Sequence, residues 1–520
     1  MKKLVIIFLA GAIAFVIFIV FVIFSLDFIF MPTAESEKLL ETGQSAVQTE
    51  EKVKTEDEAR PEEKQARNFY NIRADYDGKN KFQCEMEFTY IDKSGELQSE
   101  LYFHLYPNIF NNRERLPFFM DEFNRIFPQG FSSGGIFIQS ISQEDRDLAW
   151  ELLSEDQILK VSLLDPSGPE DSVKLNFKFS LSVPNANYRY GYQLFGGDKI
   201  TLALAHWYPM LAMYDDEGWV LDTHQALGDV TYSDVADFEV RFTVPVNFEV
   251  AASGALIQKD ELEQRVVYCY RGEKIRDFAA SISNNYESCE TVVDGVKLIS
   301  YFHPEDRAGG LAALDIAGYA LHIYNEMFGY YPYPELRIAE SNFYGGGMEY
   351  PNFIIMNTAR YKEPNLSNKS FERSMAHEVA HQWWYGLVGN DQINEPWLDE
   401  GLAEFSTMCY FERRYGKTGW ETYYNRYVVP YKNIFNKSKR TIWDKVSDFT
   451  RSEYFPIIYV KGGLYYREIR ERIGEEELLD ILRHYLETYK YKNVDFDEFW
   501  RFWDERGHGD LFREIYNSSL

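Results

Sequence analysis

The sequence predicts a multidomain α+β protein: an amino-terminal all-β region of saddle or sandwich type, a mixed α/β region after it, and one transmembrane helix at the amino terminus. Three observations carry this. An uncharged apolar run opens the chain, short alternating segments fill its first half, and a helical period takes over after about Tyr301.

Met1-Lys2-Lys3 precedes the apolar run Leu4 to Leu26. A secretory h-region takes about 7–15 residues and a membrane-spanning helix about 20, so this run has the length of a span. No A-x-A cleavage site follows between Asp27 and Ser36. The lysines lie before the run, which places the amino terminus in the cytoplasm and everything from Met31 outside. Residues 1–30 are therefore read as an uncleaved signal anchor of a single-pass cell-membrane protein with the rest of the chain extracellular. The alternative is a long signal peptide that is removed. Residues 31–67 carry Glu, Lys, Thr, Gln and Ala with no aromatic residue. Such a stretch buries too little apolar area to offset its ordering entropy, and it reads as an acidic disordered tether.

With 54 basic against 82 acidic residues the net charge is −28, which excludes nucleic acid as a partner because phosphate binding needs a basic face. Cys84, Cys269, Cys289 and Cys409 show no CxxC spacing, so a sulfur-ligated metal site is not expected. The four thiols read as free, with a Cys269–Cys289 bridge as the alternative.

Residues 68–295 read as short strands. Phe82 to Tyr90, Leu101 to Leu105 and Phe238 to Val244 alternate in character, and turn signals such as Asp92-Lys93-Ser94-Gly95 separate them. The 38 Tyr and 39 Phe suit a β-rich structure. Residues 296–520 read as helical, with helices over Arg307–Phe328 (closing at Gly329), Ser370–Tyr385, Pro396–Tyr415 and Glu475–Tyr491.

His377-Glu378-Val379-Ala380-His381 sits inside one of these helices. Two His at i and i+4 share a helix face and can reach one ion. Glu378, about a quarter turn from His377, can stand beside a metal-bound water as general base. Trp383 and Trp384 follow closely, so the helix is expected to be buried, where imidazoles need partners. A second helix then opens at Pro396-Trp397-Leu398-Asp399-Glu400. If it faces the first, Glu400 supplies a third ligand and leaves a fourth position for water, which is a catalytic rather than structural zinc set, one Zn2+ per chain. Glu404, one turn after Glu400, is either a residue that orients a ligand His or a plain helix-surface Glu.

His-Glu-x-x-His, 18 residues, then Glu resembles the gluzincin zinc aminopeptidases of the aminopeptidase N type. The resemblance covers about residues 68–515 and is most specific over 340–465. It implies a thermolysin-like α/β catalytic domain behind the β region. Gly345-Gly346-Gly347-Met348-Glu349-Tyr350-Pro351 looks like that family's Gly-x-Met-Glu-Asn motif. By that likeness Gly346, Gly347 and Met348 approach the substrate and Glu349 binds its free α-amino group; Tyr350 replaces the usual Asn, which leaves the first subsite's shape open. Ile458-Tyr459-Val460-Lys461-Gly462 is similar to the family's Tyr-x-Lys-Gly segment, which implies that Tyr459 donates to the oxyanion. His206-Trp207-Tyr208-Pro209 and Gly228 to Ser233 resemble parts of the family's β domain near the site. Met210-Leu211-Ala212 stands where many relatives place a second acidic anchor for the amine, so that anchor is missing or comes from elsewhere. His206 reads as a core histidine. Relatives usually carry a helical carboxy-terminal cap; this sequence stops soon after the segment 499–510, which implies an open site or one covered by a partner.

The expected activity is zinc-dependent removal of amino-terminal residues from peptides with a free amino end. Two rivals stand beside it: a zinc endopeptidase, and a non-catalytic binding ectodomain on the same fold.

Overall fold

A computed structural model describes residues 67–169, 171–363 and 365–517. The anchor expected over 1–30 and nearly all of the tether expected over 31–67 lie outside these residues. Among the described residues no helix is long and apolar enough to cross a membrane.

Alternation builds the first layer. In Lys81–Ile91 the side chains of Phe82, Cys84, Met86, Phe88 and Tyr90 are buried, while Lys81, Gln83 and Glu85 are exposed. Ser172–Ser182 and Ala236–Pro245 follow the same period of two. These strands belong to an eight-stranded sheet in the order Ala255–Glu261, Arg265–Ile275, Ala236–Pro245, Phe69–Tyr76, Lys81–Ile91, Ser172–Ser182, Gly135–Gln143, Arg146–Asp147. Leu101 to Leu105 is also a strand to within a residue, as part of Gln98–His104.

A four-stranded sheet of Glu249–Ala252, Ala280–Ser283, Ile200–Leu204 and Tyr190–Leu194 comes next. Its two central strands are buried on both faces. Leu202, Leu204, Val250 and Ile282 pack in the core of the eight-stranded sheet. Ala203 and Ala251 face the other way, against Ile299, Tyr301 and Ile355. Alanines on that face let the next sheet approach closely, as dense packing requires.

That next sheet has five strands, in the order Glu287–Val293, Val296–Phe302, Glu335–Ser341, Phe353–Asn357, Gly347–Met348. The three middle strands are parallel and the Gly347–Met348 edge is antiparallel. The first parallel pair is joined by the helix Arg307–Phe328, the usual crossover for parallel strands. Leu314, Ala317 and Leu321 of this helix share a core with Leu298, Ile338, Met375 and Val379.

Three differences from the expected elements have local causes. The region after 301 is not purely helical: Glu335–Ser341 and Phe353–Asn357 are short strands buried at nearly every position, the second an apolar run and the first carrying buried Arg337 and Glu340 among Leu336, Ile338 and Ala339, so neither reads as a half-buried strand. The helix expected to reach Tyr385 ends at Ala380. Trp383 and Trp384 turn inward to donate to the Gly329 carbonyl at 2.9 Å and the Ser406 hydroxyl at 3.1 Å, and Tyr385 takes φ 118°. The helix expected over Pro396–Tyr415 runs from Trp397 to Tyr423, but φ 61° and ψ −153° at Gly416 break it one residue after the expected end. The four cysteines are free, so the Cys269–Cys289 bridge is not formed. The five-stranded sheet starts at Glu287 and runs through the expected division at 295, and the described residues pack as one compact unit.

Candidate active site

His377 lies in the last turn of Ser370–Ala380 and His381 caps that helix. Glu400 lies in the first turn of Trp397–Tyr423. His377 Nε2 is 3.0 Å from Glu400 Oε2 and 3.2 Å from His381 Nε2, and His381 Nε2 is 3.3 Å from Glu400 Oε2. All three residues are buried. His381 Nδ1 donates to the Trp384 carbonyl at 2.8 Å, an acceptor available only because the helix stops at Ala380. His377 Nδ1 lies 3.1 Å from Glu404 Oε2, within ion-pair range but off the line of a straight hydrogen bond.

With a proton on each Nδ1, two imidazole lone pairs and one carboxylate oxygen face a common point. Three buried acceptors with no donor between them are costly unless a cation stands there. Ligand atoms about 2.0–2.1 Å from one zinc at tetrahedral angles are about 3.3 Å apart, so the donors fit a zinc ion. A second group, His303, Asp306 and Glu340, makes the contrast. There His303 spends both ring nitrogens, on Glu340 at 3.0 Å and Thr201 at 3.0 Å, and the Lys362 ammonium pairs with Asp306. That cluster is satisfied without a metal.

Glu404 is fully buried rather than on a helix surface. It accepts from Arg373 Nη2 at 2.5 Å and from the Tyr423 hydroxyl. Burial alone would raise its carboxyl, but Arg373 and then His377 hold it well below the usual range. Burial likewise works against Glu400, and His381 and His377 beside it bring it down to about 2. A permanently anionic Glu404 beside Nδ1 fixes the His377 tautomer and raises its basicity as a ligand. Glu404→Gln should therefore weaken zinc binding by about 10–100-fold, the range for such partners, measured by competition with a chromophoric chelator.

Glu378 and Gly347 form the next layer. A Cβ built on Gly347 would stand 2.5 Å from the Glu378 Cγ and Oε1, so the edge strand passes closer to this carboxylate than any side chain allows. The space requirement does not extend to Gly346, where a Cβ would meet nothing nearer than Ser374 Oγ at 3.5 Å. Burial pushes Glu378 up to about 7, against the pull of His377 and His381. Gly347→Ala should displace the carboxylate and lower kcat/KM by about 100-fold, the cost of a misplacement near 1 Å, with the circular dichroism spectrum retained. Wild-type kinetics in that variant would show that the contact relaxes freely.

Glu349 lies with Glu378 and His381 in a buried group whose ligand atoms are within 4.8 Å of one another. Its carboxylate accepts from Gln392 Nε2 at 3.4 Å. Gln382, one residue beyond the second His, donates to the Glu349 and Tyr350 carbonyls at 3.3 and 3.2 Å and accepts from the Asn352 amide at 2.9 Å. That side chain locks the motif loop to the His-bearing helix. Burial first, then Asp229, Glu378 and Glu400, push the Glu349 carboxyl well up, and His381 opposes them. Such a carboxylate, short of positive charge, suits a cationic ligand group. Met348 is buried in the adjoining core and reaches the cleft wall.

Tyr459 lies in a π-helical turn, Phe455–Lys461, and its ring stacks on His377 with centroids 5.6 Å apart. Burial, and Glu400 near its hydroxyl, raise its pKa, so it is a donor throughout the physiological range. His377, Glu378, His381, Glu400, Gly347, Met348, Glu349 and Tyr459 line one cleft of about 310 Å³, within the range of small-ligand sites.

Sequence reasoning placed Asp229 near the site only as part of the segment Gly228 to Ser233, without a role, and missed Arg189, Gln392, Arg373 and Arg360. Asp229 lines the cleft and accepts from Arg189 Nη1 at 2.7 Å. It is the acidic side chain nearest the role left vacant after Pro209, but its pairing with Arg189 was invisible in the chain, 40 residues apart. His206 is buried away from the cleft wall and bonded to Thr231 Oγ1 at 2.9 Å, a satisfied core histidine.

The chain's second half matches the description peptidase family M1 domain over residues 312–517. Those residues belong to peptidase family M1. Endoplasmic reticulum aminopeptidase 2 of Homo sapiens is 29% identical over 216 residues, 40% of this chain and 22% of that protein. Probable aminopeptidase 2 of Sulfurisphaera tokodaii is 29% identical over 242 residues, 44% of this chain and 31% of that protein. The match thus spans under a third of either relative's length. Among solved structures, an M1 zinc metallopeptidase from Deinococcus radiodurans superposes with a TM-score of 0.63 at 16% identity, covering 87% of this chain and 93% of that one. A mutant of that enzyme bound to a Tyr-Ser-Ala substrate gives 0.60 at 16% identity, over 87% and 94%. The architecture is therefore the mixed α+β fold of two-domain M1 metallopeptidases, and the cleft carries a zinc metallopeptidase ligand set on an M1 domain.

Proposed function

We propose that this protein is a zinc-dependent aminopeptidase that cleaves the first peptide bond of peptides with a free amino end. The observation that carries the proposal is Glu349: a buried carboxylate, short of positive charge, that accepts from Gln392 while Gln382 holds its backbone carbonyl, beside the candidate base and the candidate ligand His381. A carboxylate fixed at that place measures one residue from the amine to the reacting carbonyl.

His377, His381 and Glu400 would hold the zinc ion, which would supply Lewis-acid polarisation of the scissile carbonyl. Glu378 takes the proton from the attacking water and passes it to the leaving amine. The Tyr459 hydroxyl donates to the oxyanion as charge develops. Glu349 binds the α-ammonium, and Gly347 keeps the edge strand off the base.

The test is a panel of amino-acid p-nitroanilides and their amino-acetylated counterparts, given to the zinc-loaded part from residue 67 onward. Cleavage of the free-amine compounds alone, abolished by chelator and restored by zinc, is the expected result. Cleavage of acetylated compounds would favour the endopeptidase, and stoichiometric zinc without turnover the binding ectodomain.

The apolar run Leu4 to Leu26 supports a signal anchor with the peptidase outside the cell, on the tether of residues 31–67. On this proposal, added protease degrades the peptidase on intact cells. Protection until lysis would overturn the topology.

A further inference from the structure

Three arginines line the cleft, and two are committed. Arg189 pairs with Asp229 at 2.7 Å and Arg373 with Glu404 at 2.5 Å. Arg360 has no carboxylate partner among the described residues. Its side chain is half-buried. It sits on the short helix Thr358–Tyr361, whose cap Asn357 donates to the Phe343 and Gly345 carbonyls at 2.6 and 2.8 Å. Tyr361, the next residue, is buried with its ring 4.9 Å from that of Phe371. The segment that carries Arg360 is thus tied to the Gly345–Gly347 loop on one side and to the His-bearing helix on the other.

Its place along the cleft follows from two neighbours. A side chain built on Gly346 would stand 3.7 Å from Arg360 Nη2 and 3.5 Å from Ser374 Oγ. Arg360 therefore lies at the level of Ser374, while Glu349 lies at the level of His381 and Gln382. Seven residues of helix separate those levels, about 10 Å at 1.5 Å per residue, and Glu378 lies between them. A peptide whose amine rests on Glu349 and whose first carbonyl lies beside Glu378 runs its leaving portion toward Arg360. At about 3.3–3.6 Å per extended residue, 10 Å is the span from the amine to the carboxyl end of two or three residues.

We propose, building on the aminopeptidase reading above, that Arg360 binds a substrate carboxylate on the leaving-group side of the scissile bond. The carboxylate is either the free α-carboxyl of a short peptide or an acidic side chain at the same distance. A guanidinium half-desolvated without an anion is poised for one, because the planar fork donates to both carboxylate oxygens at once. Burial and then Arg373 lower its pKa, Tyr427 and Glu378 oppose them, and Arg426 adds to the lowering; a substrate carboxylate on the guanidinium would act with Glu378 to favour its charge. Hydrogen bonds between charged groups are worth about tenfold to 100-fold, and half-exposure of the guanidinium places this one near tenfold.

The experiment compares kcat/KM for Ala-Ala-Ala with that for its carboxamide, and for Ala-Ala-Glu-amide with Ala-Ala-Gln-amide, in wild type, Arg360→Gln and Arg360→Lys. Wild type is expected to prefer the carboxylate member of at least one pair by about tenfold. That preference should collapse to about one in Arg360→Gln and survive in part in Arg360→Lys. Which pair shows it identifies the source of the carboxylate, and turnover of the carboxamides shows that each variant is folded. Ratios near one in wild type, or a preference unchanged in Arg360→Gln, would overturn the Arg360 assignment alone. If wild type cleaves no free-amine peptide in the panel, the peptidase reading itself fails and takes this one with it.

Discussion

Glu378→Gln should leave a folded, zinc-binding protein whose turnover is lower by about 10²- to 10⁴-fold, the usual worth of a positioned general base. The amide keeps the size of the side chain and fits under Gly347, so the loss measures proton transfer and not shape. The buried carboxyl titrates at about 7 before any metal charge acts on it, and a bound cation pulls it down toward the ordinary carboxylate value. The base works only as the carboxylate. Activity is thus present at higher pH and is lost as pH falls through the pKa, with the acid limb of kcat/KM between about 4.5 and about 7. The stability consequence has the opposite sense. A folded pKa above the unfolded one means that ionisation is disfavoured in the fold, so the metal-free wild type loses stability as pH rises from about 4.5 to about 7. Metal-free Glu378→Gln avoids that loss and should melt no lower than wild type at pH 8. Full activity in the variant would remove Glu378 from the mechanism, and a lower melting point would contradict the cost assigned to its burial.

Glu400→Gln is the second large effect: zinc content should fall to near zero after dialysis, and turnover with it. Among the described residues, Glu400 is the one anionic side chain within 3.3 Å of both Nε2 atoms. Its carboxylate is held at about 2 by the two histidines, so it is charged at every working pH. An amide offers a neutral oxygen, and its NH2 group can turn in and donate to an Nε2, filling the place of the ion with a hydrogen bond. Metal analysis by plasma emission, alongside the Glu404→Gln variant, separates a lost ligand from a lost orienting partner. Zinc retained at one per chain in Glu400→Gln would reassign the third ligand.

Much of the site could be read from the chain because helix geometry is local. The i, i+4 spacing of His377 and His381 fixes a shared face whatever surrounds it, and Pro396 announces the helix that brings Glu400. The eight-stranded sheet was legible for the same kind of reason, since one-sided burial writes a period of two into segments such as Lys81–Ile91. The strands Glu335–Ser341 and Phe353–Asn357 left no such mark because both faces are covered. Glu349 and Tyr459 were singled out by resemblance alone; nothing in their spacing from His377 requires them to be near it.

What the sequence alone determined is therefore the candidate ligand types, the candidate base, and the alternating strands, each set by spacing within a turn or a strand. Tertiary structure decided the rest. It ended the His-bearing helix at Ala380 by burying Trp383 and Trp384, which gave His381 the Trp384 carbonyl. It turned Glu404 from a plain helix residue into the buried partner of Arg373 and His377. It paired Arg189 with Asp229 and left Arg360 without a carboxylate partner among the described residues of the same cleft. Charge pairing between segments far apart in sequence depends on how sheets and helices pack, and no local period in the chain encodes it.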